Sequence, residues 1–236
     1  PGYNYYSATA KAAGAVIRTY DLYEENNFQI DTKQMEGLVN GKTKMLVLIS
    51  PNNPVGSILG EKSLKEISEI IRERDIIVLS DEIYSRLSYG DITNKSICSF
   101  PGMKEKSIIL NGFSKYYSMT GWRLGYAAAP KELTAPMINM CSITTSGANS
   151  ISQYAAVEAL KNKTDDSCEK MRLELKRRCD YLYTELNKIE NISCTKPEGS
   201  FYIFLNIKGT GLTSEEFSDR LLNECGVAVV PGTAFG

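Results

Sequence analysis

Short apolar runs recur along this chain without the strict alternation of a half-buried strand. Met45-Leu46-Val47-Leu48-Ile49 and Ile76-Ile77-Val78-Leu79 are the clearest. A strand that is apolar at nearly every position needs cover on both faces, and a parallel sheet carrying helices on both sides supplies it. Strands are expected at Ala15–Thr19, Met45–Ser50, Ile76–Ser80, Ser107–Leu110, Leu124–Ala128, Phe201–Ile207 and Val227–Val230. Between them lie helical patterns. Ser63 to Glu73 places Leu64, Ile67, Ile70 and Ile71 on one face, with Ser63 and Glu66 spaced as a capping box. Ile151 to Lys161 is alanine-rich and reads as a second helix. Asp166 to Ile189 is long and charged, with Met171, Leu175, Leu182, Leu186 and Ile189 as its stripe. Strands alternating with helices predict an α/β fold, a mostly parallel sheet flanked by helices, followed by the start of a smaller α+β domain. The long helix, followed by Pro197-Glu198-Gly199 and more strand, places the domain change within it, at residues 1–172 and 173–236.

Composition removes several function classes. Lysine and arginine number 27 against 28 acidic residues, for a net charge of −1, so neither a nucleic-acid partner nor an acidic tail is expected. The longest apolar runs are too short to span a bilayer, and the opening Pro1-Gly2-Tyr3 has no signal-peptide character. Six scattered cysteines without a C-x-x-C pair read as small buried residues or free thiols in a reducing cytoplasm. The chain has no histidine, which excludes Ser-His-Asp and Cys-His machinery and removes the commonest zinc ligand. No metal site is expected. Acid–base work would fall to lysine, tyrosine or a carboxylate, with a cofactor supplying the difficult step.

Four clusters carry chemistry, and three stand directly after predicted strands, where ligands sit in open α/β sheets. Ser50-Pro51-Asn52-Asn53-Pro54-Val55-Gly56 is a rigid turn, with a candidate cis bond before Pro54, that can aim an asparagine amide. Ser80-Asp81-Glu82-Ile83-Tyr84 puts Asp81 at a strand end, where a carboxylate needs a cationic partner or serves as a helix N-cap. Asn111-Gly112-Phe113-Ser114-Lys115 puts a lysine beyond a buried strand, suited to act as an amine nucleophile toward an aldehyde unless it is an ordinary loop lysine. Thr120-Gly121-Trp122-Arg123 offers a guanidinium fork, for a phosphate or for a surface ion pair.

The run Gly112-Phe113-Ser114-Lys115-Tyr116-Tyr117-Ser118-Met119-Thr120-Gly121-Trp122-Arg123-Leu124-Gly125 resembles the cofactor-attachment signature of the class I and II aminotransferases. Ser50 to Gly56 resembles the same family's S-P-N-N-P-T-G turn, with Val55 in place of threonine. Ser80 to Tyr84 resembles its D-E-x-Y segment, and Pro1-Gly2-Tyr3 its P-x-Y/W motif. The resemblance covers essentially the whole chain. It implies the large domain of a fold-type I enzyme that uses pyridoxal 5′-phosphate to move an amino group from an amino acid to a 2-oxo acid. Lys115 would hold the cofactor as a Schiff base and move the proton. Asp81 would pair with the pyridine nitrogen. Asn53 and Tyr84 would bond the phenolic oxygen, Arg123 would clamp the phosphate, and Tyr3 would stack on the ring. Tyr3 and Asn53 would also border the substrate. A homodimer is implied by the Thr144–Ser152 stretch, which can equally be a helix-capping loop.

Two departures qualify the resemblance. Gly112 stands where many members carry a phosphate-binding serine, so those contacts would come from elsewhere, Ser114 included. Both ends look cut, because the family's N-terminal glycine-rich segment and its C-terminal carboxylate-binding arginine have no counterparts here. On this reading the chain by itself is inactive. A β-lyase or another fold-type I enzyme would use the same clusters, and a non-catalytic fragment would retain them. A dinucleotide-binding domain is disfavoured because no G-x-G-x-x-G follows the early strands.

Overall fold

The computed structural model describes residues 1–90, 94–161 and 164–236. Its centre is a four-stranded sheet in the order β1 (Met45–Ile49), β2 (Ile77–Asp81), β3 (Ser107–Gly112), β4 (Gly125–Ala128). β1, β2 and β3 run parallel, and β4 pairs antiparallel with β3. These are four of the seven predicted strands, each within two residues of its predicted limits.

One face of the sheet packs on α2 (Thr32–Leu38) and α3 (Glu61–Arg72). Leu64, Ile67 and Ile71 repeat at helical spacing and meet Leu46, Leu48 and Val78. Ile67, Ile71 and Val78 are fully buried, and each such side chain contributes about 1.5–3 kcal/mol through removal from water. The other face is half-buried, so Val47 and Leu79 are less covered than the continuous apolar runs predicted. Beyond the strand ends, α6 (Asp165–Leu186) lays Cys168, Met171 and Leu175 against Tyr84, Leu87 and Tyr116 of the turns after β2 and β3. Beside β4, α5 (Ser150–Ala159) packs Ala156 and Ala159 on Phe113 and Met119.

Several expectations are corrected. Residues 15–19 and 227–230 form no strand, and 201–207 yields only β6 (Leu205–Asn206), paired with β5 (Ser193–Cys194). Val16 and Val230 are 89% and 65% exposed. An apolar run becomes a strand only when a neighbouring strand pairs with it, and among the described residues none pairs with 15–19 or 227–230. The Ser63/Glu66 capping box is absent. α3 starts two residues earlier behind Gly60, and the Glu66 carboxylate accepts from Thr32 Oγ1 at 2.7 Å.

Four helices escaped the periodicity: α1 (Tyr5–Ala12), the short α2, α4 (Lys131–Thr145) and α7 (Ser214–Cys225). α4 contains Pro136 and buries none of its residues, so it lacks both usual signals. α7 does carry a capping box, Thr213 with Glu216, and ends at Gly226 with φ 70°. Residue 172, where the domains were expected to divide, lies inside the continuous α6.

Candidate active site

The carboxyl ends of β1, β2 and β3 finish level. Ser50 N–H donates to Asp81 O, and Glu82 N–H donates to Leu110 O, so three successive turns leave the sheet side by side. After β1, the Ser50–Pro51 and Asn53–Pro54 bonds are both cis, and Gly56 turns the chain with φ 73°. Asn52 closes the turn through its backbone, donating to Ser57 O at 2.8 Å and accepting from Gly56 N at 3.0 Å. The turn holds Asn53 buried, and Asn53 Oδ1 has no hydrogen-bond partner. Buried polar atoms are seldom left so, which marks this amide as one that a ligand completes.

After β2, Asp81 Oδ1 accepts from Ile83 N at 3.1 Å, and Oδ2 accepts from the Tyr6 hydroxyl at 2.5 Å. Tyr84 is 3% exposed, and its hydroxyl meets that of Tyr202 at 2.9 Å. After β3, Lys115 Nζ stands 5.6 Å from the Tyr84 ring centre and 5.5 Å from that of Phe201. Between these turns lies a cavity of about 310 Å³. Tyr3, Asn53, Asp81, Tyr84, Lys115 and Tyr202 line it, over a floor that includes Ile49 and Leu110.

Burial raises the phenol pKa values here. Tyr6 and Tyr84 are both pushed well above the usual phenol range, in each case first by burial, and Tyr6 further by its bond to Asp81. Tyr3 is raised chiefly by burial, while Arg123 pulls it down. These phenols remain neutral donors near neutral pH.

Five of the sequence-predicted residues therefore share one cavity: Tyr3, Asn53, Asp81, Tyr84 and Lys115. Arg123 does not line it. It is exposed, in the left-handed conformation at φ 50°, with Nη1 donating to Thr120 O at 2.9 Å. Gly112 has a packing reason to lack a side chain. A Cβ there would lie 2.9 Å from Gly125 Cα and 3.0 Å from Leu124 O, because β4 runs directly alongside.

Tyr6, Phe201 and Tyr202 were missed. Tyr6 sits three residues past the flagged Tyr3, but its carboxylate partner is 75 positions away. Phe201 and Tyr202 follow Pro197-Glu198-Gly199, the one local signal for them, and had been assigned to a strand. That segment is wedged between two site turns. Glu198 N and Gly199 N donate to Gly56 O, Ser200 N donates to Leu87 O, and Glu198 Oε2 accepts from Ile58 N.

The whole chain, residues 1–236, matches the family model described as aminotransferase class I and II. The chain belongs to that family. It is 42% identical over 237 residues to an aspartate aminotransferase of Pyrococcus abyssi, covering 100% of this chain and 61% of the relative. It is 41% identical to aromatic-amino-acid aminotransferase 2 of Thermococcus litoralis, covering 99% of this chain and 60% of that protein. Among solved structures, the aspartate aminotransferase of Thermus thermophilus with maleate superposes with a TM-score of 0.93 at 33% identity, across 100% of this chain and 61% of that one. The chain thus spans about three-fifths of the length of the relatives it matches, and its fold is that of the fold-type I enzymes.

The cavity residues fit pyridoxal phosphate. An amine suits its aldehyde, a carboxylate suits its ring nitrogen, and the unpartnered Asn53 amide with the Tyr84 phenol suits a ring oxygen. The amide oxygen and nitrogen interchange by a half-turn of the Asn53 side chain, so the same place offers an acceptor or a donor.

Proposed function

We propose that the whole protein carrying this chain transfers an amino group from an amino acid to a 2-oxo acid, with pyridoxal phosphate held at Lys115. The observation that carries the reading is the convergence of Lys115, Asp81 and the unpartnered Asn53 on one cavity at the level ends of three parallel strands. The cofactor, when bound, supplies an aldehyde carbon and a ring that accepts electron density from the substrate.

The protein's own groups do the rest. Lys115 Nζ is the amine that holds the cofactor and, once released by the incoming amino acid, takes a proton and returns it. The aromatic rings of Tyr84 and Phe201 flank that amine. Asp81, fixed by the Ile83 amide and the Tyr6 hydroxyl, presents a carboxylate to a protonated ring nitrogen. Asn53 and Tyr84 would bond the ring oxygen, and Tyr3 would cover the ring and border the substrate with Asn53; Arg123, exposed and outside the cavity lining, would hold the phosphate by the family resemblance.

A division of labour between residues 1–172 and 173–236 belongs to the same reading, with the second part contributing Phe201 and Tyr202. A homodimer is supported by the exposed apolar side chains beside the 144–152 connection, Ile143 at 83% and Tyr154 at 79%. A cytoplasmic setting is supported by six unpaired cysteines. The names of the relatives make aspartate and the aromatic amino acids the first donors to assay.

The test uses the whole protein loaded with pyridoxal phosphate. Borohydride reduction followed by peptide mass analysis is expected to find the adduct on Lys115, and an amino acid alone is expected to yield stoichiometric pyridoxamine phosphate. Release of ammonia and pyruvate without pyridoxamine phosphate would instead mark a β-lyase. Absence of any Lys115 adduct would refute the reading.

A further inference from the structure

Tyr84 poses a question of proton direction. Its hydroxyl is buried and bonded to the hydroxyl of Tyr202 at 2.9 Å, with either oxygen able to donate. A phenol has a single proton. If Tyr84 gives that proton to Tyr202, it has none for a ligand oxygen in the cavity. If Tyr202 is the donor, the Tyr84 proton is free to point inward.

The surroundings of Tyr202 are built to hold it in place. It lines the same cavity, and its ring meets that of Tyr84 edge-on, with centres 5.8 Å apart. The backbone leading to it is tied to both site turns. Gly56 O accepts from Glu198 N at 2.9 Å and from Gly199 N at 3.0 Å. Leu87 O accepts from Ser200 N at 2.8 Å. Ser200 is fully buried and held in the left-handed region with φ 63°. A non-glycine residue stays there only where its surroundings over-determine it, and such places cluster at functional sites.

We infer that Tyr202 is a positioning residue whose hydroxyl donates to Tyr84 and thereby commits the Tyr84 proton to the cofactor bound in the cavity. The inference rests on the proposed function, in which pyridoxal phosphate occupies the space between Lys115, Asp81 and Tyr84. Accepting a bond from Tyr202 makes Tyr84 the stronger donor. A donor bonded to the charged form of a group lowers the pH at which that group loses its proton.

The experiment reads the pH midpoint of the visible absorption change of the whole protein loaded with pyridoxal phosphate. Tyr202→Phe retains the ring and its edge contact, so the unfolding midpoint should hold while the spectral midpoint rises by about half a pH unit. Tyr84→Phe should raise it further, and adding Tyr202→Phe to that variant should change nothing more. Replacement of Tyr202 by 3-fluorotyrosine, a more acidic phenol and a stronger donor, should move the midpoint down. A fall in Tyr202→Phe would mean that Tyr84 donates to Tyr202, and it overturns the inference. An unchanged midpoint, or shifts that add in the double variant, also overturns it. In each of those cases a visible band that depends on Lys115 leaves the proposed function standing. If the unmutated protein shows no such band, the proposed function falls and the Tyr202 assignment falls with it.

Discussion

Gly199 is the point at which the two site turns press on the segment that carries Phe201 and Tyr202. A Cβ added there would lie 2.8 Å from Pro51 Cγ, 2.9 Å from Pro51 Cβ and 3.0 Å from Leu87 O. None of these atoms belongs to a flexible side chain. The first two are in a proline ring, and the third is backbone. Gly199→Ala therefore separates the Ser50–Gly56 turn from the turn that follows β2. Forcing one methyl into a site this tight costs about 1–3 kcal/mol, and rigid neighbours on both sides argue for about 2–3. A loss of that size lowers the thermal midpoint by roughly 5–10 °C for a domain of about 200 residues. Because the displaced turns hold Asn53 and Tyr84, affinity for pyridoxal phosphate should fall together with stability, by about tenfold for a displacement of a few tenths of an ångström.

The control is Gly37→Ala. Gly37 is exposed within α2, and a Cβ there would meet nothing within 4 Å. Alanine in that place should stabilise by about 0.5–1 kcal/mol and leave cofactor affinity unchanged. Urea unfolding of both variants, with and without pyridoxal phosphate, gives the two quantities. If Gly199→Ala unfolds within about 0.5 kcal/mol of the parent, a size expected of neutral surface changes, the wedge is refuted. If it is destabilised with cofactor affinity intact, the wedge stands but its coupling to the site is refuted.

Burial raises the Glu82 carboxyl pKa above its usual value, against the smaller opposing pull of bonds from Ser96 and Ser80. A raised acid stabilises the fold fully below its unfolded pKa and loses that contribution as pH climbs through the folded pKa. The unfolding midpoint of Glu82→Gln should therefore gain on that of the parent as pH climbs upward from the ordinary carboxylate range, and a gap independent of pH would refute this. Asn149 caps α5, its Oδ1 accepting from Ile151 N at 2.9 Å and from Ser152 N at 3.3 Å. Asn149→Ala should cost about 1 kcal/mol in urea unfolding, while Asn149→Asp should cost little; equal losses in the two would show that the cap bond contributes nothing.

What was legible in the sequence, and what was not, divides by the range over which a signal acts. Turn chemistry is written among neighbours. Two prolines and a glycine around Asn53, and a lysine five residues past Leu110, announced a site after β1 and β3 without any knowledge of what lay opposite. Central strands were legible for the same reason, since Leu46, Leu48 and Val78 carry their burial in their own side chains. Val227–Val230 has equal strand propensity and forms none, because pairing depends on another segment rather than on composition.

The tyrosines make the contrast within one cavity. Tyr3 and Tyr84 were found inside motifs, whereas Tyr202 lies 118 positions from its partner and was folded into a predicted strand. Each of the two site hydroxyls paired over long range, Tyr6 to Asp81 and Tyr202 to Tyr84, orients a residue that motif reading had already named. In this cavity the local code names the groups placed to meet the ligand, and the tertiary fold supplies the groups that aim them. The second set is therefore where a relative with the same motifs can differ in proton affinity without any change in its signature residues.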